Sequence, residues 1–136
     1  YRSILICTIY SKNMTNKNRK EYANALSKLG KWNYTTYFRG QWKITHEYAE
    51  KLAMRLMKSR VIKKVFFIIE KDFDPKNNHI HFLLEAEELN REKLSRITKF
   101  NRTGIGNIEK IIEKKQVTKY LLKNLGEDFS YHNLYL

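Results

Sequence analysis

The sequence predicts an α+β fold: one antiparallel sheet of about five strands, with helices on one face and the other face open. Three observations predict it. From Trp32 onward, runs with strand character and runs with a helical stripe follow in the order strand, helix, strand, strand, helix, strand, which is the split βαβ, ferredoxin-like arrangement. A further strand and helix precede it. Hydrophobic residues make up 42% of the chain, with five glycines and one proline, the composition of a folded protein. At 136 residues the chain reads as one domain, 1–136, with a core of its own.

The elements follow in order. Ile4 to Tyr10 reads as a strand, and Thr15 or Asn16 caps a helix whose stripe is Tyr22, Ala25, Leu26 and Leu29, ended by Gly30. Trp32 to Arg39, aromatic and threonine-rich, is a second strand. Thr45 caps a helix to about Ser59 that buries Tyr48, Leu52 and Leu56. Two strands follow, Val65–Lys71 and His79–Leu84, with a polar turn between them that holds the only proline. Asn90 caps the next helix, and Leu89 and Leu94 are spaced as a hydrophobic staple across its start. The isoleucines between Gly104 and Glu113 suggest a strand, and a last helix runs from about Lys114 to Leu125. The final ten residues either pack back on the core or lead into a further domain.

Side chains alternate along a strand, so His79 and His81 share one face while Ile80, Phe82 and Leu84 point to the helices. Two imidazoles on one rigid strand, about 7 Å apart at the backbone, can close on one metal ion. A hairpin would deliver Glu70 beside them. His46 or Glu47 competes with Glu70 as the third ligand. A His-x-His pair alone is a weak signal, because a half-exposed sheet face tolerates histidines.

Charge points to the partner. Lys and Arg number 27 against 14 Asp and Glu, a net charge of +13. Such an excess favours a polyanion whose phosphates meet Lys and Arg. No apolar run approaches membrane-spanning length, and no helix has the basic–apolar split of an interfacial anchor, so a membrane is not the expected partner. The single cysteine, Cys7, excludes an internal disulfide and fits a reducing, cytoplasmic compartment. Trp32, Tyr34, Tyr37, Phe38 and Trp42, interleaved with Lys31, Arg39 and Lys43, offer rings and cations for single-stranded nucleic acid, with about half the rings expected in the core.

The last helix carries a second pattern. Val117, Leu121, Leu122 and Leu125 form its apolar stripe, and Gln116, Tyr120, Lys123 and Asn124 a polar one. A phenol is a weak nucleophile at its ordinary pKa near 10, and a metal-polarised phosphodiester eases its attack. An ammonium three residues on can stabilise charge on the phosphate.

HIHFLL at 79–84 followed by YLLK at 120–123 resembles the HUH endonucleases, and more closely the rolling-circle replication initiators (Rep proteins) of the single-tyrosine class. The resemblance covers roughly Trp32 to Leu125. It implies a metal-dependent enzyme that nicks single-stranded or origin-hairpin DNA. Under it His79 and His81 are metal ligands, Glu70 is the acidic ligand of some virus-type Reps, Tyr120 is the nucleophile and Lys123 the lysine of the YxxK motif. Thr35, Thr36, Tyr37 and the following Phe38 match the family's first, DNA-contacting motif, with CTIY at 7–10 as the alternative. Arg39, Lys43 and Asn124 are further candidate DNA contacts. The implied cofactor is Mg²⁺ or Mn²⁺, and the product a 5′-phosphotyrosine adduct with a free 3′-hydroxyl. Virus-type Reps often carry glutamine where His81 stands, so the likeness is nearer to plasmid or phage Reps. A single-tyrosine transposase and a nucleic-acid-binding module that cuts nothing are the alternatives.

Overall fold

Val65, Phe66, Phe67, Ile68 and Ile69 are all buried, and the strand that contains them is the centre of the molecule. A computed structural model describes residues 4–10, 16–71, 77–124 and 131–136, with backbone alone at 7–10, 16–18, 71, 124 and 131. Its elements are β1 (Ile6–Tyr10), α1 (Asn16–Lys28), β2 (Tyr34–Phe38), α2 (His46–Lys58), β3 (Ile62–Lys71), β4 (Asn78–Ala86), α3 (Arg91–Thr98), a 3-10 turn (Arg102–Gly104), β5 (Glu109–Lys110), α4 (Lys114–Asn124) and β6 (Tyr131–Tyr135). The polar turn between β3 and β4 lies largely outside the described residues, as do Thr15 and Leu125.

All strand pairs are antiparallel, in the order β1-β6-β3-β4-β2-β5. β4 lies between β2 and β3, the two strands joined by α2, and β2 lies between β4 and β5, joined to β4 through α3. This is the expected split βαβ arrangement. β6 adds to the β3 edge, and β1 adds to β6. Five strands have five or more residues and β5 has two, so the sheet counts six where about five were expected.

The termini form as their caps dictate. Thr45 Oγ1 accepts from Tyr48 N at 3.1 Å and Asn90 Oδ1 from Lys93 N at 2.8 Å. α2 and α3 lie on one face and bury Leu52, Leu56 and Leu94 against Val65, Phe67, Ile80, Phe82 and Leu84. Leu89 and Leu94, the two residues of the staple, are both in this core.

The other face is not bare. α1 and α4 cover part of it, packing Leu26, Val117 and Leu121 with Trp32, Phe66, Ile68, Leu83 and Leu134. The physical reason is in β3: alternate residues of VFFII are apolar on both sides, so each face needs a cover. The stripe of α1 is also rotated from expectation, with Ala23 and Leu26 buried while Ala25 and Leu29 are exposed. The open part of this face lies towards β4, β2 and β5.

The segment from Gly104 to Glu113 is a strand only at Glu109–Lys110. It nevertheless follows the β2 edge through Arg39 N to Gly104 O and Gly106 N to Tyr37 O, both 2.8 Å. The approach is so close that a Cβ at Gly106 would lie 2.2 Å from the Tyr37 ring, and one at Gly104 2.3 Å from Arg39 O. Glycine permits that contact, and two glycines in three residues prevent a regular strand.

Candidate active site

The β3–β4 hairpin puts Glu70 opposite His79 and Ile68 opposite His81. Paired residues of an antiparallel ladder share a face, so Glu70, His79 and, two residues along, His81 converge. Glu70 Oε2 is 3.5 Å from His79 Nε2 and 3.4 Å from His81 Nε2, and the two Nε2 atoms are 2.9 Å apart. One ligand atom from each of the three lies within 4.8 Å of the others, a spacing that fits one cation with bonds of about 2.0–2.2 Å. This is the group of three or more His, Cys, Asp or Glu found close enough to hold a metal among the described residues. His46 and Glu47 are exposed at the start of α2, on the helix that covers the opposite sheet face, and are not part of it.

Burial alone would raise the Glu70 carboxyl. Hydrogen bonds from His79 and His81, and the positive charge those rings can carry, override burial and hold it down to about 2. A carboxylate kept ionised beside two imidazole nitrogens is a donor set for a divalent cation.

α4 brings Tyr120 to this group. Val117 and Leu121 are buried, which turns the Tyr120 ring towards β4, 6.1 Å from His81 between centroids. Its hydroxyl is shielded from solvent. Burial first, and then the negative charges of Glu70 and Glu109, push the phenol above its ordinary value. Lys123, exposed, lies one turn on and lines the same cleft of about 250 Å³ with Thr35, Thr36, Tyr37, His81 and Tyr120. Gln116, also of the polar stripe, serves the helix start instead: its Oε1 accepts from Ile112 N and Glu113 N, each at 3.0 Å.

The remaining sequence candidates divide. Thr35 and Thr36 are buried, and Thr36 Oγ1 donates to Gly106 O at 3.4 Å. Tyr37 is 41% exposed, opposite His81 in the β2–β4 register, its ring 6.1 Å from His81 and 6.5 Å from His79. Arg39 is exposed, with its guanidinium 3.4 Å from His79 Nδ1. Lys43 is exposed but does not line the cleft, because the chain turns at Ile44 towards the α2 face. The Asn124 side chain lies outside the described residues. Of the five rings considered for a nucleic-acid platform, Trp32, Tyr34 and Phe38 are core, while Tyr37 and Trp42 are exposed. Asn107 and Glu109 complete the cleft. Neither carries a sequence signal: Asn107 reaches the site through the Gly104–Gly106 contact with β2, and Glu109 through the two-residue β5, where it pairs with Thr35.

Among the described residues no helix is long and apolar enough to cross a membrane. Comparison with family models, curated proteins and solved structures finds no match.

Proposed function

We propose that the protein is a metal-dependent endonuclease and strand transferase acting on single-stranded DNA, of the rolling-circle initiator kind. The observation that carries the reading is the convergence of Glu70, His79 and His81 beside the Tyr120 ring, from elements forty residues apart. Those three side chains would hold a divalent Mg²⁺ or Mn²⁺, which would supply positive charge to the oxygens of a phosphodiester.

The chain's own residues supply the rest. Tyr37 and Arg39 hold the strand beside the histidines, and Lys123 neutralises charge on the phosphate. The Tyr120 oxygen loses its proton and bonds to phosphorus as the bond to the 3′-oxygen breaks. That oxygen takes a proton and leaves as a 3′-hydroxyl, with the 5′ end held as a phosphotyrosine. Because one phosphodiester replaces another, attack by a 3′-hydroxyl reverses the step without an energy source. The substrate is an origin, single-stranded or presented on a hairpin, within a cell's replication compartment.

A second reading, a single-stranded nucleic-acid-binding domain that cuts nothing, draws on the shielded Tyr120 hydroxyl, whose raised pKa opposes attack. One experiment separates them. Labelled single-stranded oligonucleotides tiling the DNA around the gene are mixed with protein and Mn²⁺ or EDTA, then run on a denaturing gel beside Tyr120→Phe. The nuclease forms a covalent adduct with Mn²⁺ only, and the Phe variant forms none. Binding by both proteins with no adduct on any oligonucleotide leaves the binding domain.

A further inference from the structure

Beyond Tyr37 the surface opens into a second cavity of about 610 Å³, of which the reading above uses only Tyr37 and Arg39. It shares Tyr37 and Asn107 with the Tyr120 cleft, so the two adjoin with the half-exposed Tyr37 ring at the divide. Its walls are the end of β2, the first residue of α3 and the segment pressed against β2 at Gly104 and Gly106.

Its chemistry is one-sided. Arg39 and Arg91 line it, and no acidic side chain does among the described residues. Arg91 Nη2 donates to Asn107 Oδ1 at 3.2 Å, a bond between two residues of the cavity lining. Arg91 is the first residue of α3, where the helix dipole disfavours a cation. An anion in the cavity would remove that penalty. The volume lies within the roughly 300–1,000 Å³ of small-molecule pockets, room for a nucleotide. A planar guanidinium and an aromatic wall together suit a phosphate and a base.

We infer that this cavity is a nucleotide subsite, which takes the phosphodiester and base next to the linkage presented to Tyr120. Arg91 contacts the phosphate and Tyr37 stacks between the two bases. The inference rests on the reading of the site as one for single-stranded nucleic acid and names where the strand runs: from the Tyr120 cleft, over Tyr37, towards α3.

The test is binding of fluorescein-labelled dT12, followed by anisotropy over a range of salt. Arg91→Ala should weaken binding roughly 3- to 10-fold at low salt and flatten the dependence of log K on log salt by about 0.7, the contribution of one phosphate contact. Arg91→Lys, which keeps the charge, should restore the slope. Arg96→Ala, an exposed arginine in the last turn of the same helix, should leave it unchanged. Equal effects of Arg91→Ala and Arg96→Ala, or none from either, overturn the subsite. Covalent adduct formation is read separately on the same proteins. An adduct with an Arg91-independent slope removes the subsite and keeps the nuclease. An Arg91-dependent slope with no adduct does the reverse, and failure of dT12 to bind the unaltered protein removes both.

Discussion

Glu70 can be tested without disturbing the fold, because Gln has its shape without its charge. If the carboxylate completes a cation site, Glu70→Gln should weaken Mn²⁺ binding by at least about tenfold, since even groups that only orient metal ligands are worth 10- to 100-fold. Titration calorimetry would check it, and unchanged affinity would remove Glu70 as a ligand. The metal-free protein offers a second measurement. The folded carboxyl is held down to about 2 from an ordinary 4.5, so its stabilising effect is present above pH 4.5 and is lost as pH falls towards 2. The melting-temperature advantage of the unaltered protein over Glu70→Gln should therefore shrink through that window. An advantage that holds constant down to pH 2 would mean that the histidines do not stabilise the charge.

At the scale of the element, Tyr120 is where it is because α4 is anchored through Leu121. Leu121 is fully buried against the face of the sheet that carries the histidines. Leu121→Ala should lower stability by about 2–5 kcal/mol in urea denaturation. Ile112→Ala, 88% exposed just ahead of the same helix, should change it by less than about 0.5 kcal/mol. Equal effects would mean that α4 is not held by this contact. Period-two alternation in a local hairpin made Glu70, His79 and His81 legible as a group, since register follows once the strands pair. The place of α4 was less legible. A helical stripe says that one side is buried but not which face of the sheet buries it, and that choice is made by Phe66, Ile68 and Leu83 far away in sequence. The unbroken VFFII run was the available signal that both faces would be covered. The segment from Gly104 to Glu113 misled for a different reason: its isoleucines have strand propensity, but its two glycines permit a close contact with β2 in place of a long strand.

At the scale of the molecule, the sheet divides its two faces between stability and exposure. α2 and α3 close one face, and α1 and α4 close only part of the other, so the site lies at the boundary between a packed helix and open strands. The chain as a whole carries a net charge of +13, although Glu70 and Glu109 place negative charge close to Tyr120. A polyanion would thus be drawn to the surface as a whole, while its phosphates would be repelled from Tyr120 unless a cation intervened. On the proposed function, these opposed fields would separate binding from reaction. Association with dT12 should need no divalent ion, because Lys and Arg over the surface provide it. Each phosphate contact adds about 0.7 to the salt slope, so two or three contacts predict a loss of roughly tenfold between 50 and 200 mM salt. The same oligonucleotide in EDTA should bind within about a factor of three of its affinity in Mn²⁺ at matched ionic strength, whereas adduct formation should require the ion. If EDTA abolishes binding as well, the cation holds the strand rather than activating its phosphate, and the division between the basic surface and the Glu70–His79–His81 group fails.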